Sequence, residues 1–118
     1  MRLKDQLGRY GERIAAQVLL DSGLRIIDTN WRCPRGEIDI IACSGRTLVI
    51  CEVKTRTSAG FGDPAEAVNA TKAARLRMLA TQWLSEQTAS WADIRFDVVS
   101  VLREPTGPAR VRHLRGAF

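Results

Sequence analysis

Apolar residues recur at helical spacing at the start of the chain. Leu3, Leu7, Ile14 and Val18 form one stripe with Gly11 in its gap, which predicts a helix over residues 3–22, with Gly23 as its stop signal. The pattern then changes to short runs rich in Ile and Val. Residues 24–27 read as a strand, followed by an irregular basic stretch over 30–36. Residues 37–42 and 47–55 read as the two strands of a hairpin turned at Cys43-Ser44-Gly45-Arg46. A loop is expected over 58–62. A second helix should open with Asp63 as N-cap, Pro64 in the first helical position and Glu66 three residues after the cap. Its apolar face runs through Leu76, Leu79, Ala80, Trp83 and Leu84. Residues 94–102 form the next strand, Glu104-Pro105-Thr106-Gly107-Pro108 a turn, and 110–114 an edge strand. The order α-β-β-β-α-β-β predicts an α/β fold with a mixed β-sheet flanked by helices, in a single domain over 1–118.

Acidic residues break the strand pattern. Carboxylates are depleted in strands and costly to bury without a partner, yet the predicted hairpin carries Glu37, Asp39 and Glu52, with Lys54 close by. Alternation puts Glu52, Lys54 and Arg56 on one face, with Glu52 and Lys54 about 6.6 Å apart. Pairing Ala42 with Thr47 sets Asp39 opposite Ile50 and Glu37 opposite Glu52, so that Asp39 lies diagonal to Glu52 on the same face. Any even-length turn keeps that parity. The opposition of Glu37 and Glu52 is repulsive unless a divalent cation, Lys54 or Arg56 intervenes. On the first helix, Glu12 stands among Gly8, Ala15 and Ala16. It is either an ordinary helical Glu paired with Arg9 or Arg13, or a carboxylate able to reach the neighbouring sheet.

The string Gly36-Glu37-Ile38-Asp39, a gap of twelve residues, and Glu52-Val53-Lys54-Thr55-Arg56 together resemble the core of the PD-(D/E)XK nuclease superfamily. With Gly8, Gly11-Glu12 and Ala15 upstream, Gly23, and Arg95-Phe96-Asp97-Val98-Val99 downstream, the chain resembles the YraN-like family of small bacterial proteins, related to archaeal-type Holliday junction resolvases. The resemblance implies a restriction-endonuclease-like sheet. It also implies Asp39 and Glu52 as metal ligands joined by Glu12, with Lys54 as the motif lysine. Ile38 stands where the superfamily usually has Pro; that residue is not a ligand. The implied activity is Mg²⁺-dependent hydrolysis of phosphodiester bonds in DNA, on branched or damaged structures, with Mn²⁺ as a substitute metal. Lys54 would position the attacking water or offset phosphate charge. Two other readings stand beside it: a nucleic-acid-binding module with little or no turnover, and a protein–protein assembly module.

Composition narrows the setting. The 118 residues are 45% hydrophobic and 26% charged, which excludes a disordered chain. No apolar run reaches the roughly 18 residues of a membrane span. The amphipathic start argues against a secretory signal, and three cysteines without a CxxC pair suit the cytoplasm. The excess of 18 basic over 13 acidic residues, +5, suits an anionic partner. Arg56, Lys72 and Arg75 are the candidate nucleic-acid contacts, although a basic helical face is commonly plain solvated surface. A homodimer is expected by the resolvase analogy. Gly60-Phe61-Gly62 is either a substrate loop or a connector. Trp31, Trp83 and Trp91 read as packing residues, Asp97 as a structural partner of Arg95 or a loop amide, and His113 as peripheral.

Overall fold

The computed structural model describes residues 3–57 and 69–118. Helix α1 (Leu3–Asp21) leads into strands β1 (Arg25–Cys33), β2 (Gly36–Ser44) and β3 (Thr47–Arg56); helix α2 (Ala70–Ser85) then crosses to β4 (Asp93–Leu102) and β5 (Arg110–Leu114). The strands form one sheet in the order β1-β2-β3-β4-β5. The β3–β4 pair is parallel and the other pairs are antiparallel, so the sheet is mixed as expected. No helix among the described residues is long and apolar enough to cross a membrane.

Each helix covers one face. On one side Ala15 and Leu19 of α1 pack on Ile40, Ala42, Val49, Cys51, Val99 and Val101. On the other, Leu76, Leu79, Ala80 and Trp83 of α2 pack on Ile38, Ile41, Leu48 and Ile50. Period-two alternation therefore holds through the first half of β3, where both faces are dry. Helix α1 approaches β3 closely at Gly11. A Cβ there would lie 1.8 Å from Thr55 Oγ1 and 2.8 Å from Thr55 Cβ, so only glycine fits.

Two elements differ from the sequence reading. Strand β1 runs to Cys33 and absorbs half of the stretch expected to be irregular. Trp31, Arg32 and Cys33 pair with Ile38, Glu37 and Gly36, so ladder bonds at a largely exposed sheet edge hold residues whose polarity hides the strand. The described start of α2 is Ala70, capped by Asn69, whose side-chain oxygen accepts from the Lys72 N–H at 2.9 Å. Asp63, Pro64, Glu66 and the 58–62 loop with Phe61 lie outside the described residues.

Asp97, fully buried on β4, ties the end of the chain to the sheet. It accepts from Arg95 Nε and Nη2 at 2.8 and 2.9 Å and from the Gly116 N–H at 3.0 Å. His113 Nε2 lies 2.7 Å from its other oxygen. Burial alone would raise the Asp97 carboxyl. The bonds from Arg95, Gly116 and His113, with the Arg95 charge, outweigh it and hold the group below its ordinary value. His113 is thus a half-buried structural partner and not peripheral. Nearby, Arg77 lies over the rings of Phe96 and Phe118 at 5.5 and 5.6 Å.

Two substitutions test this packing by urea denaturation. Gly11→Ala should cost about 1–3 kcal/mol, because α1 must lift from Thr55. Asp97→Ala should cost roughly 3 kcal/mol or more, because it strips partners from Arg95, His113 and the Gly116 N–H together.

Candidate functional site

The site is built where the sheet forks. Pairing of β2 with β3 runs from Ser44↔Thr47 to Ile40↔Cys51 and stops. Beyond that point Gly36, Glu37 and Ile38 stay on β1, while Glu52 to Arg56 continue beside β4. Asp39 and Glu52 stand in the opening.

The register differs by two residues from the expected pairing of Ala42 with Thr47. The turn is only Gly45-Arg46, with Gly45 at φ 57, a left-handed conformation that glycine adopts without strain. A shift of two preserves parity, so Asp39 still meets Glu52, now directly across the fork. The shift also separates Glu37 from Glu52: Glu37 faces Arg32 on β1 and takes a hydrogen bond from its Nε at 2.8 Å. The expected Glu37–Glu52 opposition is therefore replaced by a surface ion pair.

At the fork Asp39 Oδ2 accepts the Val53 N–H at 2.8 Å, so a side-chain oxygen takes the place of a strand carbonyl. The β2 chain also turns over here. Ile40 and Ala42 face α1 while Ile38 and Ile41, three apart, face α2, so alternation slips by one at Asp39. Asp39 is 8% exposed. Burial, then the Glu52 carboxylate, push its pKa up to about 8; Glu12 and Glu37 add to the rise and the Val53 N–H opposes it. Glu52 is also raised, first by burial. Lys72, a hydrogen bond with Asp39, and Lys54 pull against that rise. Burial and repulsion among the carboxylates thus hold both carboxyls above their ordinary range, which favours retaining a proton at the pair.

A cleft of about 390 Å³ opens over this pair. Its walls include Glu12 and Gly8 from α1, Lys54 and Thr55 from β3, and Lys72 from the first turn of α2. Lys72 Nζ lies 3.9 Å from Glu52 Oε1. A second cleft of about 360 Å³ shares Glu12 and Asp39 and extends along α1 and β1 past Arg9, Arg13, Thr29 and Asn30. Glu12, Asp39, Glu52, Lys54 and Lys72 are thereby brought together. Arg56 and Arg75 are not: Arg56 lines a separate cleft beside β4 and β5, and the stem of Arg75 lies near Gly36 beside Leu79. Asn30 in the second cleft takes a φ of 53, a left-handed value that Asn tolerates better than most side chains and that no local sequence pattern signals. Arg9 and Arg13 carried a usable signal, since both lie on the α1 turns around Glu12.

Among the described residues no group of three His, Cys, Asp or Glu side chains forms a closed cage for an ion. Asp39 and Glu52 adjoin, and Glu12 stands across the cleft. This hard-oxygen set still fits an ion such as Mg²⁺, which keeps several waters and takes one or two carboxylates.

Comparison with known proteins bears on the whole chain. The uncharacterised protein family UPF0102 matches residues 11–101. This chain belongs to that family. The UPF0102 protein of Beutenbergia cavernae is 55% identical over 98% of both chains. That of Frankia alni is 54% identical over 100% of this chain and 98% of its own. A third, from Nocardia farcinica, is 50% identical over 98% of this chain and 91% of its own. The UPF0102 match spans all five residues gathered at the fork and ends before β5.

A carboxyl titrating near 8 in the folded chain and near 3.8 when unfolded binds a proton on folding between those values. Its stabilising effect is complete below about pH 4 and is lost as pH rises through about 8. Thermal melts in EDTA should therefore show a lower Tm at pH 8.5 than at pH 5. Asp39→Asn, which keeps an acceptor for the Val53 N–H, should flatten that dependence and raise the Tm at pH 8.5.

Proposed function

We propose that this protein is a metal-dependent nuclease of the PD-(D/E)XK type that hydrolyses phosphodiester bonds in DNA, on branched or damaged structures. The observation that carries the proposal is the pairing of buried Asp39 with half-buried Glu52 at the fork, with Lys54 and Lys72 beside them and Glu12 opposite. Two carboxyls held so close that one retains its proton near neutral pH form a poor resting arrangement and a good receptor for a divalent cation.

Asp39 and Glu52 would hold Mg²⁺ or Mn²⁺, with Glu12 directly or through water. When bound, the ion supplies Lewis acidity at the phosphoryl oxygens and lowers the pKa of bound water. The chain's own residues do the positioning. The Val53 N–H holds the Asp39 carboxylate in place. Lys54 orients the attacking water or offsets phosphate charge, and Lys72, already drawn to Glu52, balances the charge of the cleft. Small side chains on α1, Gly8 among them, leave room for a substrate backbone beside Glu12.

A second reading has its own support. The acids do not close into a three-ligand cage among the described residues, and Lys72 already offsets Glu52. Both facts suit a nucleic-acid-binding module with little turnover.

A panel of plasmid, single-stranded, flap, four-way-junction and RNA substrates with Mg²⁺ or Mn²⁺ separates the readings. Wild-type protein should cleave a DNA substrate, while Asp39→Asn and Lys54→Ala should each lower the rate by about a hundredfold or more. Mg²⁺ should raise the Tm of the wild type at pH 8 but not that of Asp39→Asn. Cleavage that survives Asp39→Asn would sink the proposed site. Salt-sensitive binding without cleavage would establish the second reading.

A further inference from the structure

The same sheet face that carries the acids continues sideways into a basic cleft. In the observed register Lys54 pairs with Ser100 on β4, and Ser100 with Arg112 on β5. One row further, Arg56 pairs with Leu102, and Leu102 with Arg110. Registered neighbours share a face, so Lys54, Arg56, Arg110 and Arg112 stand on one side of the sheet, the β3 and β5 members about 10 Å apart. Helix α2 covers the first halves of β3 and β4 on this side, through Leu48, Ile50 and Phe96. Over the second halves lies a cleft of about 500 Å³ lined by Arg56, Arg110 and Arg112, with Ser100 and Leu102 between them.

From this geometry we infer that the β5 arginines, Arg110 and Arg112, together with Arg56, form a second phosphate-binding track that carries the nucleic-acid backbone away from the acid pair. The inference rests on the nuclease reading only for the position of the scissile phosphate. Edge strands often carry charge to block pairing, but that purpose does not require arginines gathered on the sheet face around a cleft shared with β3. Guanidinium groups spread over two rows match a chain of phosphates better than a single anion, and each can grip one bidentately. Glu104 Oε1, 2.7 Å from Arg110 Nε, steadies that side chain; a guanidinium has five N–H donors and can hold a carboxylate and a phosphate together. The contact of His113 with Asp97 ties β5 to β4 next to Arg112.

Fluorescence anisotropy of a labelled DNA four-way junction and duplex in EDTA, over a salt series, tests the track without turnover. Arg110→Gln/Arg112→Gln should weaken binding about tenfold or more. It should also make the slope of log K against log salt shallower by about 2, since each phosphate contact contributes roughly 0.9. Arg110→Lys/Arg112→Lys should keep the slope and lose part of the affinity; it preserves the test if the Gln pair lowers the Tm. Wild-type binding that is unchanged in affinity and slope in both pairs overturns the inference while leaving cleavage, and so the nuclease reading, intact. Weakened binding in a protein that never cleaves supports the track and overturns the nuclease reading. Saturable binding of inorganic phosphate that the Gln pair abolishes, with DNA affinity unaltered, assigns the cleft to a small anion and overturns the track.

Discussion

One hydrogen bond organises the site: Val53 N–H to Asp39 Oδ2, 2.8 Å across the point where β2 and β3 part. Antiparallel strands that separate leave ladder groups to satisfy, and a carboxylate oxygen here satisfies one of them. The consequence is an acid held at 8% exposure with a second acid beside it. The fork and the crowded pair are therefore one feature. A sheet that stayed paired to the end of β3 would have no opening for the pair, and a fork without Asp39 would expose a bare strand N–H.

Everything around the fork converges on it through packing. The absent side chain at Gly11 lets α1 come within contact of Thr55, which brings Glu12 to the cleft. Asn69 caps α2, so the first turn of that helix, with Lys72, is held at the other wall. The two helices lie on opposite faces of the sheet, yet both contribute to a single cleft because the fork opens the sheet between them. Repulsion among the carboxylates is tolerated because the cores formed by Leu19, Ile40 and Val49 on one face, and by Leu48, Ile50 and Leu79 on the other, hold the strands rigidly.

On β4, the strand beside β3, a second polar device works by satisfaction instead of crowding. Asp97 is wholly buried but surrounded by donors, so its carboxyl sits below the ordinary value while that of Asp39 sits far above it. Two buried aspartates in one small sheet thus have opposite electrostatics, set by the number of donors each meets. The donor-rich one anchors the end of the chain; the donor-poor one invites a cation.

Much of this was legible in the order of residues. Helical spacing from Leu3 to Val18, the Ile- and Val-rich runs and the glycine turn determine the element order, because local periodicity carries that information. Parity of the hairpin already put Asp39, Glu52 and Lys54 together, since a two-residue change of register leaves faces unaltered. Other features belong to the tertiary structure alone. The true register depends on a two-residue turn that the string Cys43-Ser44-Gly45-Arg46 does not distinguish from a four-residue one. The second half of β1 is a strand because β2 is beside it, not because of its own residues. His113 meets Asp97, and Arg112 joins the row of Lys54, across 16 and 58 positions of sequence respectively. Sequence by itself determined which residues could be chemical and, along β3, which face each would take, whereas the slip at Asp39 on β2 belongs to the fold. Only the folded sheet decided which of them meet, because pairing between distant strands, and the fork that interrupts it, depends on packing from both helices at once.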